Sequence, residues 1–225
     1  MEFFEDLKKT KIFSKATEFE CQALMFCLKT RFRVYKKNEH IIQQGQPLEE
    51  VVLIVKGGAI VEHIDSFGDI SILMRLKDGE LFGVESAYNN ETEHKDSLIA
   101  TEKTLVMFMN KHRLLTPCEN RCRRHENVVK FVAESMAESN LKLMNKLAHM
   151  RKKTIREKLV SYFTTLSKLA GSNYFELPFN KTELANYLSV DRSAMSNELS
   201  KMKEEGIVDF DKKSYRILQN KLKED

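Results

Sequence analysis

The sequence predicts an α+β fold: an N-terminal double-stranded β-helix, or jelly roll, then a long central helix and a C-terminal winged helix-turn-helix. Three observations predict it. Between Thr30 and Met109 short apolar runs alternate with polar residues and are divided by glycine turns, the mark of a double-sheet jelly roll or small barrel. From Glu119 to His149 the apolar period is helical, with no Gly or Pro inside. From Phe179 to Met202 two short amphipathic helices stand almost without a gap, and a hairpin follows them.

In chain order, residues 3–30 read as helical. Phe3, Phe4 and Leu7, then Ile12 and Phe13, then Phe19, Ala23, Leu24 and Leu28 recur at helical steps, with a break near Ser14. Strands follow at Phe32–Tyr35, Ile41-Ile42, Val51–Val55, Ala59–Ile64, Ile70–Leu76, Ser97–Ala100 and Leu105–Met109. Turns are expected at Gln44-Gly45-Gln46-Pro47, Gly57-Gly58, Asp65-Ser66-Phe67-Gly68 and Asp78-Gly79. In the central helix Val129, Val132, Met136, Leu143, Leu147 and Met150 recur at three- or four-residue steps. Some 30 residues at 1.5 Å each span roughly 45 Å, a length suited to packing against a second copy or bridging two domains. Arg151-Lys152-Lys153 then precedes another amphipathic helix with Ile155, Leu159, Tyr162, Phe163 and Leu166. The expected domains are therefore 1–117, 118–150 and 151–225.

The helix pair carries its own punctuation. Asn180 is placed to cap the first helix, with Glu183 three residues on as the returning partner of a capping box. Leu184, Ala185 and Leu188 form the apolar stripe, Ser189 and Val190 the connection, and Asp191 caps the second helix. There Ala194, Met195, Leu199 and Met202 face inward, while Arg192, Ser193, Ser196, Asn197 and Lys201 face away. Gly206 suits a left-handed C-cap. Ile207–Phe210 and Tyr215–Leu218 then read as two β runs around Asp211-Lys212-Lys213-Ser214, which completes a winged helix. The outward face has the hydrogen-bonding heads needed to read base edges in a major groove.

Composition narrows the classes. Apolar content of 42% with 31% charged residues fits a globular chain, and no stretch approaches the roughly 20 apolar residues of a membrane span. The start, Met1-Glu2-Phe3-Phe4-Glu5-Asp6, lacks the basic n-region of a signal peptide, so a cytoplasmic protein is expected. The net charge of +4 lies wholly in residues 151–225, which hold 15 Lys and Arg against 11 Asp and Glu. A basic module attached to a neutral one suits a polyanionic partner for that module alone.

Taken in order, four segments resemble the Crp/Fnr family of bacterial transcription regulators, and the resemblance covers nearly the whole chain. They are K-K-N-E-H-I-I-Q-Q-G-Q-P (36–47), V-V-L-I-V-K-G-G-A-I-V (51–61), D-G-E-L-F-G (78–83) and E-L-A-N-Y-L-S-V-D-R-S-A-M-S-N-E-L (183–199). The resemblance implies a cyclic-nucleotide-binding-like sensor domain and a homodimer held by the long helix through Val129, Val132, Met136, Leu143 and Leu147. It also implies a palindromic site in double-stranded DNA, RNA polymerase as a partner, and an effector that controls DNA affinity. The implied effector pocket comprises Gly79, Glu80, Leu81, Phe82, His94 and Lys95, with Val132 and Met136 from the helix. The resemblance points to Arg192, Ser193, Ser196 and Asn197 as base-facing positions, and Lys181, Thr182 and Lys201 are expected as phosphate contacts.

Departures from the family pattern shape the remaining expectations. Cyclic-nucleotide-binding members follow G-E-L with an Arg-Ser pair that grips the phosphate, and here His94-Lys95 stands at that place. Lys95 offers an anion a point charge without arginine's bidentate fork, which argues against cyclic AMP. Gly79-Glu80-Leu81 then reads as turn scaffolding. Better-known members carry Glu at the position of Ser193 and Arg at that of Asn197, so a different operator is expected. No metal is assigned. Cys21, Cys27, Cys118 and Cys122 match cluster ligands in number and not in spacing, so structural thiols are set against a redox or iron–sulfur role. His63, His94 and His125 stand as haem-ligand alternatives. Two rivals are a thiol enzyme built on Cys122 and His125, which lacks an orienting third group, and a cyclic-nucleotide-type module with no DNA target.

Overall fold

A computed structural model of the chain describes residues 4–89, 91–116 and 123–218. The helical period at the start yields two short helices, α1 (Phe4–Lys8) and α2 (Glu18–Cys27). Turns at residues 9–15 separate them, and α2 starts at a capping box in which Thr17 and Glu20 satisfy each other's backbone N–H.

Eight strands follow: β1 (Arg31–Tyr35), β2 (His40–Ile42), β3 (Glu50–Lys56), β4 (Gly58–Ile64), β5 (Ile70–Lys77), β6 (Leu81–Phe82), β7 (Ser97–Ala100) and β8 (Thr104–Asn110). They form two four-stranded sheets, ordered β1-β8-β3-β6 and β2-β7-β4-β5. Short helices α3 (Val84–Tyr88) and α4 (Lys111–Leu115) fill the connections. The central strands β3 and β8 pair antiparallel, with Val52 opposite Phe108 and Leu53 opposite Met107. They are buried on both faces, which explains their unbroken apolar runs. At the β3–β4 turn a Cβ on Gly57 would stand 2.7 Å from Thr104 Oγ1 and 2.8 Å from the Lys103 carbonyl, and its φ is +106°. Only glycine fits there.

One apolar cluster unites α1, α2, the β3–β8 sheet and the long helix α5 (Arg123–Met150). It includes Leu7, Phe13, Leu24, Leu53, Met107, Val128, Phe131 and Val132. Burying each such side chain contributes about 1.5–3 kcal/mol. This corrects the expectation for Val132: at 2% exposure it packs inside its own unit and offers a partner chain no surface. Val129, Met136, Leu143 and Leu147 are exposed, as are Leu141 and Met144, at 64% and 60%.

The C-terminal third holds α6 (Ile155–Ala170), β9 (Tyr174–Glu176), α7 (Lys181–Leu188), α8 (Arg192–Glu204), β10 (Val208–Asp211) and β11 (Ser214–Ile217). The three strands make an antiparallel sheet ordered β10-β11-β9. Phe163 and Leu159 of α6 are buried, and the Phe163 ring packs against Phe175 and Tyr215, with centroids 5.7 and 5.3 Å away. Contacts divide the chain into Met1–Asp69 with Met74–Asn140, and Ile70–Leu73 with Leu141–Asp225. The division falls inside α5, between Asn140 and Leu141. Among the described residues no helix is long and apolar enough to cross a membrane.

Candidate nucleic-acid interface and effector site

The pair α7–α8 is fixed by its caps. The Asn180 side chain accepts from the Glu183 N–H at 3.0 Å, and the Glu183 carboxylate accepts from the Asn180 N–H at 2.9 Å. Helix α7 stops where Ser189 turns left-handed, at φ +48°, and the Val190 N–H reaches the Ala185 carbonyl at 3.1 Å. A carboxylate oxygen of Asp191 then takes the Ala194 N–H at 2.7 Å and opens α8. Leu184, Ala185, Tyr187 and Leu188 are buried on the first helix, and Met195, Leu199 and Met202 on the second. Ala194, expected inward, is only half-buried. Gly206 closes the pair at φ +67°.

That packing leaves one face of α8 to solvent. Arg192, Ser193, Asn197 and Lys201 are exposed and Ser196 is half-buried, while Lys181 and Thr182 are exposed at the start of α7. The Lys181 ammonium lies 5.6 Å from the Phe210 ring centroid, and Lys203 lies 4.8 Å from the same ring and 2.8 Å from Asp209. Lys181 and Lys203 thus flank the Phe210 ring of the β10–β11 hairpin, and Asp209 balances the charge of Lys203.

Sequence periodicity missed the device that holds α8. The Arg156 guanidinium, near the start of α6, donates to Glu198 at 2.5 Å and to both carboxylate oxygens of Glu205, at 2.6 and 2.8 Å. These bonds hold its pKa above the usual arginine value and pull the Glu205 carboxyl below its own. Lys158 adds a bond to the Leu188 carbonyl at 3.1 Å. Both residues read in sequence as solvated positions on an amphipathic helix; the i+42 and i+49 partners carry no periodic signal.

Two buried polar side chains lie near the end of α5. Lys146 donates to the Ile72 carbonyl at 2.7 Å and stands 5.4 Å from the Tyr187 ring centroid. Burial lowers its pKa. His149 shares a 2.8 Å hydrogen bond with Ser161 Oγ and meets Tyr162 edge-on at 5.5 Å. Burial holds its pKa at about 4, so the imidazole is neutral near pH 7.

Of the residues expected around an effector, Leu81 and Val132 share the N-terminal core, and Phe82 and His94 touch each other. Gly79 turns at φ +85°, its N–H donates to the Ile54 carbonyl at 2.7 Å, and the Glu80 carbonyl accepts from the Ile54 N–H at 3.0 Å. This locks the β5–β6 turn to β3, as turn scaffolding does. Leu81 and Phe82 are buried, and His94 stacks on Phe82 at 5.5 Å and 15°. Burial first, then the charge on Lys111, lowers the His94 pKa to about 4. The Lys95 ammonium is instead exposed and pairs with Glu91 at 2.6 Å. Met136 is exposed on α5.

The thiols and remaining histidines divide as well. Cys21 is fully buried in the N-terminal core, and burial pushes its thiol pKa up, which disfavours a ligating thiolate. Cys27 is partly exposed. Cys118 and Cys122 lie outside the described residues. His63 Nδ1 meets Asp96 at 3.0 Å. His125 is buried, and among the described residues neither ring nitrogen has a hydrogen-bond partner.

Residues 32–121 match the family model described as a cyclic nucleotide-binding domain, and residues 157–222 match a Crp-like helix-turn-helix domain. The transcriptional activator protein Anr of Pseudomonas aeruginosa is 23% identical over 195 residues, which cover 84% of this chain and 78% of that protein. The transcriptional activator protein FnrL of Cereibacter sphaeroides is 22% identical over 196 residues, covering 83% and 76%. A solved structure of a CooA variant from Carboxydothermus hydrogenoformans superposes with a TM-score of 0.76 at 16% identity, covering 95% of this chain and 94% of that one. At that identity the likeness is one of fold.

Proposed function

We propose, because the chain belongs to the Crp/Fnr family of DNA-binding transcription regulators, that it works as a cytoplasmic homodimer whose grip on a palindromic DNA site is set by a signal received in the N-terminal unit. One observation carries the reading: α8 buries Met195, Leu199 and Met202 and leaves Arg192, Ser193, Ser196 and Asn197 on its outer face. In this reading α8 enters the major groove. Two copies, joined through Val129, Met136, Leu143 and Leu147 of α5, meet half-sites about 34–36 Å apart. Asn197 reads adenine and Arg192 reads guanine, while Lys181, Thr182 and Lys201 hold phosphates.

The signal is a small molecule or redox change other than cyclic AMP; the Lys95–Glu91 pair and the neutral, stacked His94 support that exclusion. RNA polymerase is the downstream partner, and the names of Anr and FnrL as activators favour activation as the direction of control. Fluorescence anisotropy with a selected duplex tests the reading. Asn197→Ala should weaken the best site by about 1–3 kcal/mol and relax preference at one base pair per half-site. Equal affinity for every duplex would remove the base-reading role of α8.

A second reading concerns the signal alone. Among the described residues neither ring nitrogen of buried His125 has a partner, and Cys122 stands three residues before it in sequence, which favours a thiol–imidazole metal or redox site. The family regulates transcription and is not enzymatic, so this grouping is not read as a catalytic pair. Anaerobically purified protein should then contain stoichiometric metal that His125→Ala loses; metal-free, colourless protein would leave the organic signal.

A further inference from the structure

We propose that a cavity between the Lys11–Ala16 turn, α2 and the first half of α5 binds a small amphipathic carboxylate. It measures about 320 Å³, at the lower end of ligand pockets, so its occupant is of single-ring size. Ile12, Leu24 and Phe131 supply a buried apolar floor, and Lys11, Lys15 and Lys130 stand at its walls. An apolar floor beneath ammonium groups selects a ligand with an apolar body and an anionic head.

The charges already in the cavity decide which lysines can serve. The Lys11 ammonium is held by Glu138 at 2.5 Å, which raises its pKa and occupies it. Lys130 stands 3.9 Å from Glu134, too far for a hydrogen bond and at a distance where exposed pairs contribute little. Lys15 has no ion-pair partner among the described residues. The Glu20 carboxylate is engaged at the α2 N-cap, accepting from the Thr17 N–H at 2.9 Å and its hydroxyl at 3.1 Å. Lys15 and Lys130 are thus the groups available to a carboxylate, and charge-assisted bonds to it are about twice as strong as neutral ones.

None of Gly79, Glu80, Leu81, Phe82, His94, Lys95, Val132 or Met136 lines this cavity, although Glu80 is near enough for its charge to act on Lys11. On α5 it is lined by Asn127, Lys130, Phe131 and Glu134, on the helix that also carries the exposed apolar stripe. Any effect of the ligand on DNA rests on the regulator reading; binding itself does not.

Calorimetric titration of the full-length protein with phenylbutyrate tests the proposal, with phenylbutyramide as the uncharged counterpart. One saturable site per chain is expected, with the amide bound about tenfold more weakly. Lys15→Gln and Lys130→Gln should each weaken phenylbutyrate by roughly fivefold, and Lys168→Gln, in the other unit, should leave it unchanged. No saturable heat up to about 5 mM would overturn the proposal. So would equal binding of the amide, or indifference to both substitutions. Loss of DNA binding with ligand binding retained counts against the regulator reading and leaves the cavity assigned.

Discussion

Single side chains divide here into those that read, those that place and those that titrate. On the proposed reading Asn197 and Arg192 are of the first kind, and Lys181 holds a phosphate. Lys181→Ala should weaken all duplexes alike and reduce the salt slope of binding by about one, as measured by anisotropy across a salt series. Arg156 places: its bonds to Glu198 and Glu205 fix α8, although both acids are partly solvated. Arg156→Met should therefore shift thermal melting little and lower operator affinity by more, roughly tenfold. His149 titrates. Its pKa falls from an ordinary 6.5 to about 4 on folding, so the folded chain binds fewer protons between those values. The stability it contributes is complete above pH 6.5 and is lost as pH falls through 4, by about 1–3 kcal/mol. His149→Gln should flatten that part of the stability–pH profile in chemical denaturation. The outward positions of α8 were legible because an amphipathic helix sorts inner from outer positions by period alone. Arg156, Lys146 and His149 were not, because their partners lie far away in sequence or are backbone groups.

At the scale of elements, legibility followed length and punctuation. Helices α7 and α8 could be drawn from Asn180, Glu183, Asp191 and Gly206, because capping groups must sit at fixed offsets from a helix end. Asp191→Ala should cost about 1 kcal/mol of stability, read from the denaturation midpoint, since the Ala194 N–H loses its acceptor. The two-residue β6, three-residue β9 and five-residue α3 and α4 were not legible; segments so short barely repeat a period. Helix α5 shows a different failure. Val129, Val132 and Met136 lie at consecutive three- and four-residue steps, yet Val132 is buried in the unit's own core and its neighbours in that series are exposed. A helix that packs on a sheet with one face and offers another to a partner carries two apolar stripes, and spacing alone does not separate them. The exposed stripe predicts that Leu143→Glu with Leu147→Glu halves the mass seen in sedimentation at micromolar concentration, with the helical signal retained. Val132→Glu should instead unfold the N-terminal unit, seen as loss of cooperative melting.

Over the whole molecule, a neutral N-terminal part precedes a C-terminal third that carries the entire +4 charge, and the exposed face of α8 lies within that third. The family resemblance read in four segments agrees with the matches over 32–121 and 157–222. The identity of the signal was not legible, because the positions that would name it depart from the family pattern: His94 is buried and stacked, and Lys95 is paired elsewhere. The most direct test of the account is selection of binding sites from random duplex DNA by the full-length protein at low salt. The account predicts a palindrome with half-site centres about one helical turn apart, carrying an adenine preference that Asn197→Ala erases. Recovery of no enriched sequence, or of the familiar guanine-reading half-site unchanged by that substitution, would contradict it.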